Sequence, residues 1–140
     1  MGYDMYEREG QFFIESSQKE DALKALREWG RKTAARRYGG WDEELQDAEN
    51  LEEAFFRLGW NCVNNAANDI ADLYFEDGAL HDENEWMDAI APFVKQGSYF
   101  EMVGEDNEFW CWYFDGETCT VYQGVVTFPG MPEIGGDDSP

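Results

Sequence analysis

The stretch SYFEMVGEDNEFWCWYFDGETCTVY, residues 98–122, decides the fold. Aromatic and β-branched residues fill Tyr99 to Val103, Phe109 to Phe114 and Thr118 to Tyr122. Turn formers separate them at Gly104-Glu105-Asp106-Asn107 and Asp115-Gly116, which predicts an antiparallel meander. Asp115-Gly116 reads as a two-residue hairpin turn that sets Phe114 opposite Glu117. Counting outward, Trp112 faces Cys119 and Cys111 faces Thr120, so the two sulfurs point to opposite faces and no disulfide joins them. The run Phe109-Trp110-Cys111-Trp112-Tyr113-Phe114 is apolar on both strand faces, as expected of a central strand buried between layers. The alternative is an exposed aromatic anchor of the kind that dominates protein interfaces. Val125 to Phe128 is expected to add a fourth strand.

Upstream, helical periodicity takes over. Leu23, Leu26, Trp29 and Thr33 form one stripe of a helix expected over 19–36, with Ser17 and Glu20 spaced as a capping box and Gly39-Gly40 as its stop. Leu45, Ala48, Leu51, Phe55 and Leu58 recur at three to four residues and predict a second helix over 42–59. Asp82 is placed as the cap of a third helix through Trp86, Met87, Ile90 and Val94, shortened or kinked by Pro92. The first fifteen residues read as a hairpin turning at Glu7 to Gly10, residues 60–68 as an Asn-rich loop, and Ile70 to Phe75 as a strand turned by Asp77-Gly78. The expected fold is α+β, with two or three helices packed on a mostly antiparallel sheet. Residues 1–129 form one domain in this scheme, and 130–140 a mobile acidic tail.

The chain has 140 residues, and its net charge of −21 comes from 31 acids against 10 Lys and Arg. Disordered chains pair such charge with few aromatics, but this one is 16% aromatic and 43% hydrophobic, which predicts a folded core. The charge is unevenly spread. Residues 1–40 are nearly neutral, whereas residues 41–140 hold 24 acids and only Arg57 and Lys95. Binding to nucleic acid needs a surplus of cations, so direct nucleic-acid contact is excluded as a role. No apolar run reaches the roughly 18 residues of a membrane span. The three cysteines, an odd number, with no basic-then-apolar opening segment, place the chain in a reducing cytoplasm with free thiols.

Asp42, Glu43, Glu44, Asp47, Glu49 and Glu53 crowd the second predicted helix, and Glu105, Asp106 and Glu108 crowd the first turn of the meander. Asp42, Glu49 and Glu53 fall on one outer strip of that helix, with Glu49 and Glu53 roughly 6 Å apart along its axis. Duplex DNA carries one charge per about 1.7 Å, so the acidic part of the chain matches roughly 37 Å of duplex. A domain of this size is also about 37 Å across. In charge, size and expected location the chain resembles the DNA-mimic inhibitors of phages and mobile elements, the antirestriction and acidic anti-CRISPR proteins. The resemblance includes no motif. It implies an inhibitor that occupies the nucleic-acid-binding surface of a bacterial defence nuclease, namely a Cas effector, a restriction enzyme or another basic nuclease. The nine acids just named are the expected contacts. The cationic run before Gly40 departs from a uniformly acidic mimic and is expected either to brace the acids internally or to form a second contact surface. The alternative is an immunity protein or regulatory subunit that binds one cognate partner outside any nucleic-acid site.

Enzyme classes find little support. His81 is the one histidine and has no nucleophile motif beside it, so no catalytic residue is assigned. Neither a phosphate loop nor a dinucleotide loop occurs, and no cofactor is expected. Cys62, Cys111 and Cys119 lack zinc spacing, and an EF-hand register on Gly78 puts Leu73 at the first ligand position, so no metal site is assigned. Only weak cation holding is expected of Asp82 to Glu85 and Glu105 to Glu108.

Overall fold

The computed structural model describes residues 4–36, 41–75, 78–79 and 82–130. The predicted meander is its spine. Strands β5 (Tyr99–Gly104), β6 (Phe109–Phe114) and β7 (Cys119–Gln123) pair antiparallel in succession. Strand β1 (Asp4–Gln11) lies antiparallel on the other side of β5, and the two-residue β4 (Gly78–Ala79) lies outside β1. The sheet order is β4-β1-β5-β6-β7. A separate antiparallel pair joins β2 (Trp60–Asn64) to β3 (Ile70–Phe75). Among the described residues four helices complete the α+β fold: α1 (Lys19–Arg36), α2 (Asp42–Asp47), α3 (Leu51–Arg57) and α4 (Glu83–Ile90).

Alternation along β5 and β6 turns Phe100, Met102, Trp112 and Phe114 toward the core. Trp60 sits at its centre, its ring 4.8 Å from Phe100, 5.0 Å from Phe75 and 6.1 Å from Trp86. One side chain thus ties the small sheet, the large sheet and α4 together. The α1 stripe Leu23, Leu26, Trp29 and Thr33 is buried as its spacing predicts.

Several local expectations are corrected. Among the described residues 4–15 no hairpin forms. Glu7 pairs with Met102 and Glu9 with Glu101, so Arg8 is the extra residue of a bulge in one unbroken strand. Gly10 serves close approach rather than a turn, because a Cβ there would lie 3.0 Å from the Phe100 ring and from the Tyr99 carbonyl. Residues 60–64 are strand, and the Asn residues after them build the turn: Asn65 Oδ1 accepts from the backbone N–H groups of Ala67 and Asp69. The hairpin between β6 and β7 turns through four residues, so Phe114 opposes Cys119 and Cys111 opposes Tyr122. That shift of two preserves parity; Cys111 and Cys119 keep opposite faces, and all three thiols are free. Residues 125–128 form no strand. At the start of α1, the 3-10 turn Ser16–Gln18 stands where a capping box was expected, and Asp69 holds it by accepting the Ser16 N–H. The α4 helix ends at Ile90, with Pro92 in the 3-10 turn that follows. The Asp77-Gly78 turn, His81, Gly39-Gly40 and residues 131–140 lie wholly or partly outside the described residues.

The helix expected over 42–59 is two helices. Ala48 is extended and ends α2, whose last carbonyls are taken by Arg27 of α1: Nη2 to Ala48 O at 2.6 Å and Nε to Leu45 O at 3.3 Å. Asn50 then caps α3, its Oδ1 accepting the Glu53 N–H at 2.8 Å. Asn favours a cap over a helix interior because its side chain competes for backbone donors. Asn50→Ala is expected to cost about 1 kcal/mol of stability, and Asn50→Asp to keep most of it; urea unfolding midpoints of the two variants measure the difference.

Candidate partner-binding surface

Most acids among the described residues either accept hydrogen bonds within the fold or face water. At α4, four indoles converge on four consecutive residues. Trp41 Nε1 donates to Asp82 at 3.2 Å, Trp60 to Glu83 at 3.1 Å, Trp112 to Asn84 Oδ1 at 2.6 Å, and Trp29 to Glu85 at 3.1 Å. Glu83 is fully buried. Buried indoles need an acceptor, and this helix start supplies one each. The oxygens of Asp82 to Glu85, where weak cation holding was expected, thus carry a structural duty as acceptors of indole N–H groups. Asp82 has φ +61° and caps nothing with its side chain.

The acids proposed as contacts divide as well. Glu53 does not stand on an outer strip with Asp42 and Glu49, because Glu49 lies in the link between two helices. Glu53 turns inward: it accepts the Glu49 N–H at 3.0 Å and pairs with Arg57 at 2.9 Å. Those two interactions, the backbone N–H first, hold its carboxyl below the usual range. Glu44 is the second partner of Arg57, at 3.5 Å. Glu43, Asp47 and Glu49 are exposed, and Asp42 is half-buried with its carboxylate accepting from Gln46 at 3.1 Å. Glu105, Asp106 and Glu108 are exposed in the turn between β5 and β6, where Glu105 accepts the Asp4 N–H at 2.8 Å.

Contacts relate these two groups. The Trp41 indole reaches Asp82, three residues beyond Ala79, which pairs with Asp4 beside Glu105. Three residues span at most about 11 Å. The start of α2, the start of α4 and the Glu105–Glu108 turn thus belong to one end of the molecule. Glu49 lies farther along, in a groove of about 710 Å³ that Lys19, Lys24 and Arg27 also line.

Most cations that the structure describes are engaged with the fold. Lys19 pairs with Glu52, Arg8 with Glu101 at 3.6 Å, Lys32 with Glu28 at 3.6 Å, and Lys95 lies over the Phe13 ring. Burial raises the Glu52 carboxyl, but Lys19 and Asn64 outweigh it and hold the group below its ordinary value. Lys24 and Arg31 are exposed. Bracing thus accounts for part of the cationic run.

Among the described residues the aromatic strand is fully covered on one face only. Trp112 and Phe114 are buried, while Phe109, Cys111 and Tyr113 are half-buried on the opposite face, which corrects the expectation of a strand enclosed by two layers. That outer face and residues 124–127 bound a groove of about 690 Å³ that includes Arg8, Phe109 and Tyr122. Burial pushes the Cys62 and Cys119 thiols up to about 12, so neither is a thiolate nucleophile at neutral pH. Among the described residues no three His, Cys, Asp or Glu side chains gather as metal ligands, and no described helix is long and apolar enough to cross a membrane. No family model matches the chain, and no curated protein or solved structure is detectably similar to it.

One carboxyl works against the fold at neutral pH. Glu7 accepts the Phe75 N–H at 2.9 Å, where β1 meets the edge of β3. Burial first, and the neighbouring Asp72 charge after it, raise its pKa above 4.5. Asp72 Oδ1 is itself buried with no partner. A raised folded-state value means the fold takes up a proton that the unfolded chain releases. The Glu7 contribution therefore improves as pH falls through the folded value and levels off below 4.5. Glu7→Gln, which keeps the acceptor for Phe75, is expected to be more stable than the wild type at pH 7. That advantage should vanish in thermal unfolding below about pH 4.5.

Proposed function

We propose that this protein is an acidic inhibitor that takes the nucleic-acid-binding surface of a bacterial defence nuclease, and so keeps DNA from it, without making or breaking bonds. The supporting observation is the division of charge. Arg8, Lys19, Arg27 and Arg57 are spent on internal partners, while Glu43, Asp47, Glu49 and the Glu105–Glu108 turn face solvent on a chain of net charge −21. Self-repulsion on that scale destabilises a compact body, and a cationic partner relieves it. Encounter would be steered by the long-range field and completed by local docking. The expected partner is a Cas effector, a restriction enzyme or another basic nuclease in the bacterial cytoplasm.

A second reading, an immunity protein or regulatory subunit binding away from any nucleic-acid channel, draws support from the exposed apolar side chains of Val125, Val126 and Phe128. Competition separates the two. Bait protein immobilised at low salt is expected to capture a basic nuclease from bacterial lysate, and excess duplex DNA to displace it. The double charge reversal Asp47→Lys/Glu49→Lys is expected to weaken that complex at least ~10-fold and to flatten its salt dependence. Capture that DNA does not disturb, with affinity unchanged by the reversal, contradicts the mimic and favours the cognate-partner reading.

A further inference from the structure

The large sheet ends in two unlike edges. On one side the edge strand is β4, only two residues long; on the other it is β7, five residues long and free of Lys, Pro or bulge. Short, charged or bulged edges are the usual protection against pairing with another chain. By that measure β7 is protected, among the described residues, only at its start, where Asp88 of α4 takes the Cys119 N–H.

Two hydrogen bonds fix which way its backbone faces. The Cys119 N–H turns away from β6 and donates to Asp88 of α4 at 3.0 Å, while the Gly124 N–H donates toward β6, to Phe109 O at 2.8 Å. Alternation between them directs the N–H and C=O groups of Val121 and Gln123 outward, away from the sheet. Apolar side chains on the strand itself are accessible: Val121 is 37% exposed and Tyr122 55%. Acids stand along it, Asp88 beside Cys119 and Asp115 and Glu117 at the β6–β7 turn, while Arg8, which lines the outer-face groove with Tyr122 and Gln123, is paired with Glu101 at 3.6 Å.

We propose that β7 is a docking edge for an extended cationic segment of a partner protein, which adds as a sixth strand with its backbone on Val121 and Gln123 and its basic side chains among Asp88, Asp115 and Glu117. Main-chain pairing supplies affinity in this mode, and alternate side chains supply selectivity. A second copy of this chain is the disfavoured occupant, because two bodies of charge −21 repel. The edge does not include α2, and although its Gln123 end adjoins the Glu105–Glu108 turn through the Gly124–Phe109 hydrogen bond, the backbone pairing proposed here does not rest on the mimic reading.

Amide hydrogen exchange on the full chain tests it, with a capped hexapeptide alternating lysine and valine as probe. Exchange at Val121 and Gln123 is expected to slow at least ~10-fold with this peptide. An alternating glutamate–valine peptide, or the lysine peptide N-methylated on its pairing edge, should leave exchange unchanged. Val121→Pro provides a protein-side control, since a proline whose missing N–H faces outward leaves the β6–β7 ladder intact. That variant should keep the wild-type melting temperature and lose peptide-dependent shifts at Gln123. Unchanged exchange with the lysine peptide, equal protection by the N-methylated form, or protection that grows with protein concentration alone would overturn the proposal. No DNA or nuclease enters the assay, so its failure is distinct from failure of the mimic.

Discussion

The start of α4 is the point on which the rest of the structure depends. An indole N–H shut away from water needs an acceptor, and this chain places four of them around one helix terminus. Successive helical residues project about 100° apart, so Glu83, Asn84 and Glu85 reach in different directions around the axis, and Asp82, just ahead of the helix, adds a fourth acceptor. Trp29 arrives from α1, Trp41 from the entry to α2, Trp60 from β2 and Trp112 from β6. Acidic residues also suit the positive end of a helix. One short segment thereby sets the positions of two helices, both sheets and the aromatic core between them.

That arrangement gives the acidity of the chain two meanings. Carboxylates at Asp82, Glu83 and Glu85 are structural acceptors. Glu52 and Glu53 are counter-ions to Lys19 and Arg57. Among the described residues Glu43 and Glu49 take no such partner, Asp47 adds a longer-range attraction to the Arg57 that Glu53 and Glu44 hold, and all three add to the field that a neighbouring molecule meets. Cations drawn into the fold sharpen this contrast. Arg27, for example, closes the end of α2 through two carbonyls and so holds in place the helix that carries the exposed acids.

Alternation and helical spacing made α1 and the meander legible in the sequence, because one face of each element is buried and the pattern follows. Other elements were hidden by residues with two uses. Gly10 signals a turn but serves close packing against Phe100. Asn50 falls inside an unbroken apolar stripe, yet its side chain stops one helix and starts the next; the stripe survives because both short helices bury it against the same core. Asp115-Gly116 marks the correct hairpin, and the longer turn moves the register by two without moving any side chain to the other face. At the candidate surface, the exposure of Glu43, Asp47 and Glu105 to Glu108 was legible from charge runs. The structural duty of residues 82–85 was not, since their indole partners lie 23 to 56 residues away. A run of acids looks the same whether it meets water or tryptophan.

The division between structural and surface acids is open to one comparison of unfolding free energies. Asn84→Ala orphans the Trp112 indole and should cost about 1–3 kcal/mol. Neutralising Glu43, Asp47 and Glu49 together to their amides should change stability by less than about 0.5 kcal/mol, or raise it as repulsion falls. A triple variant that loses several kcal/mol, beside an Asn84→Ala protein as stable as the wild type, would contradict the account.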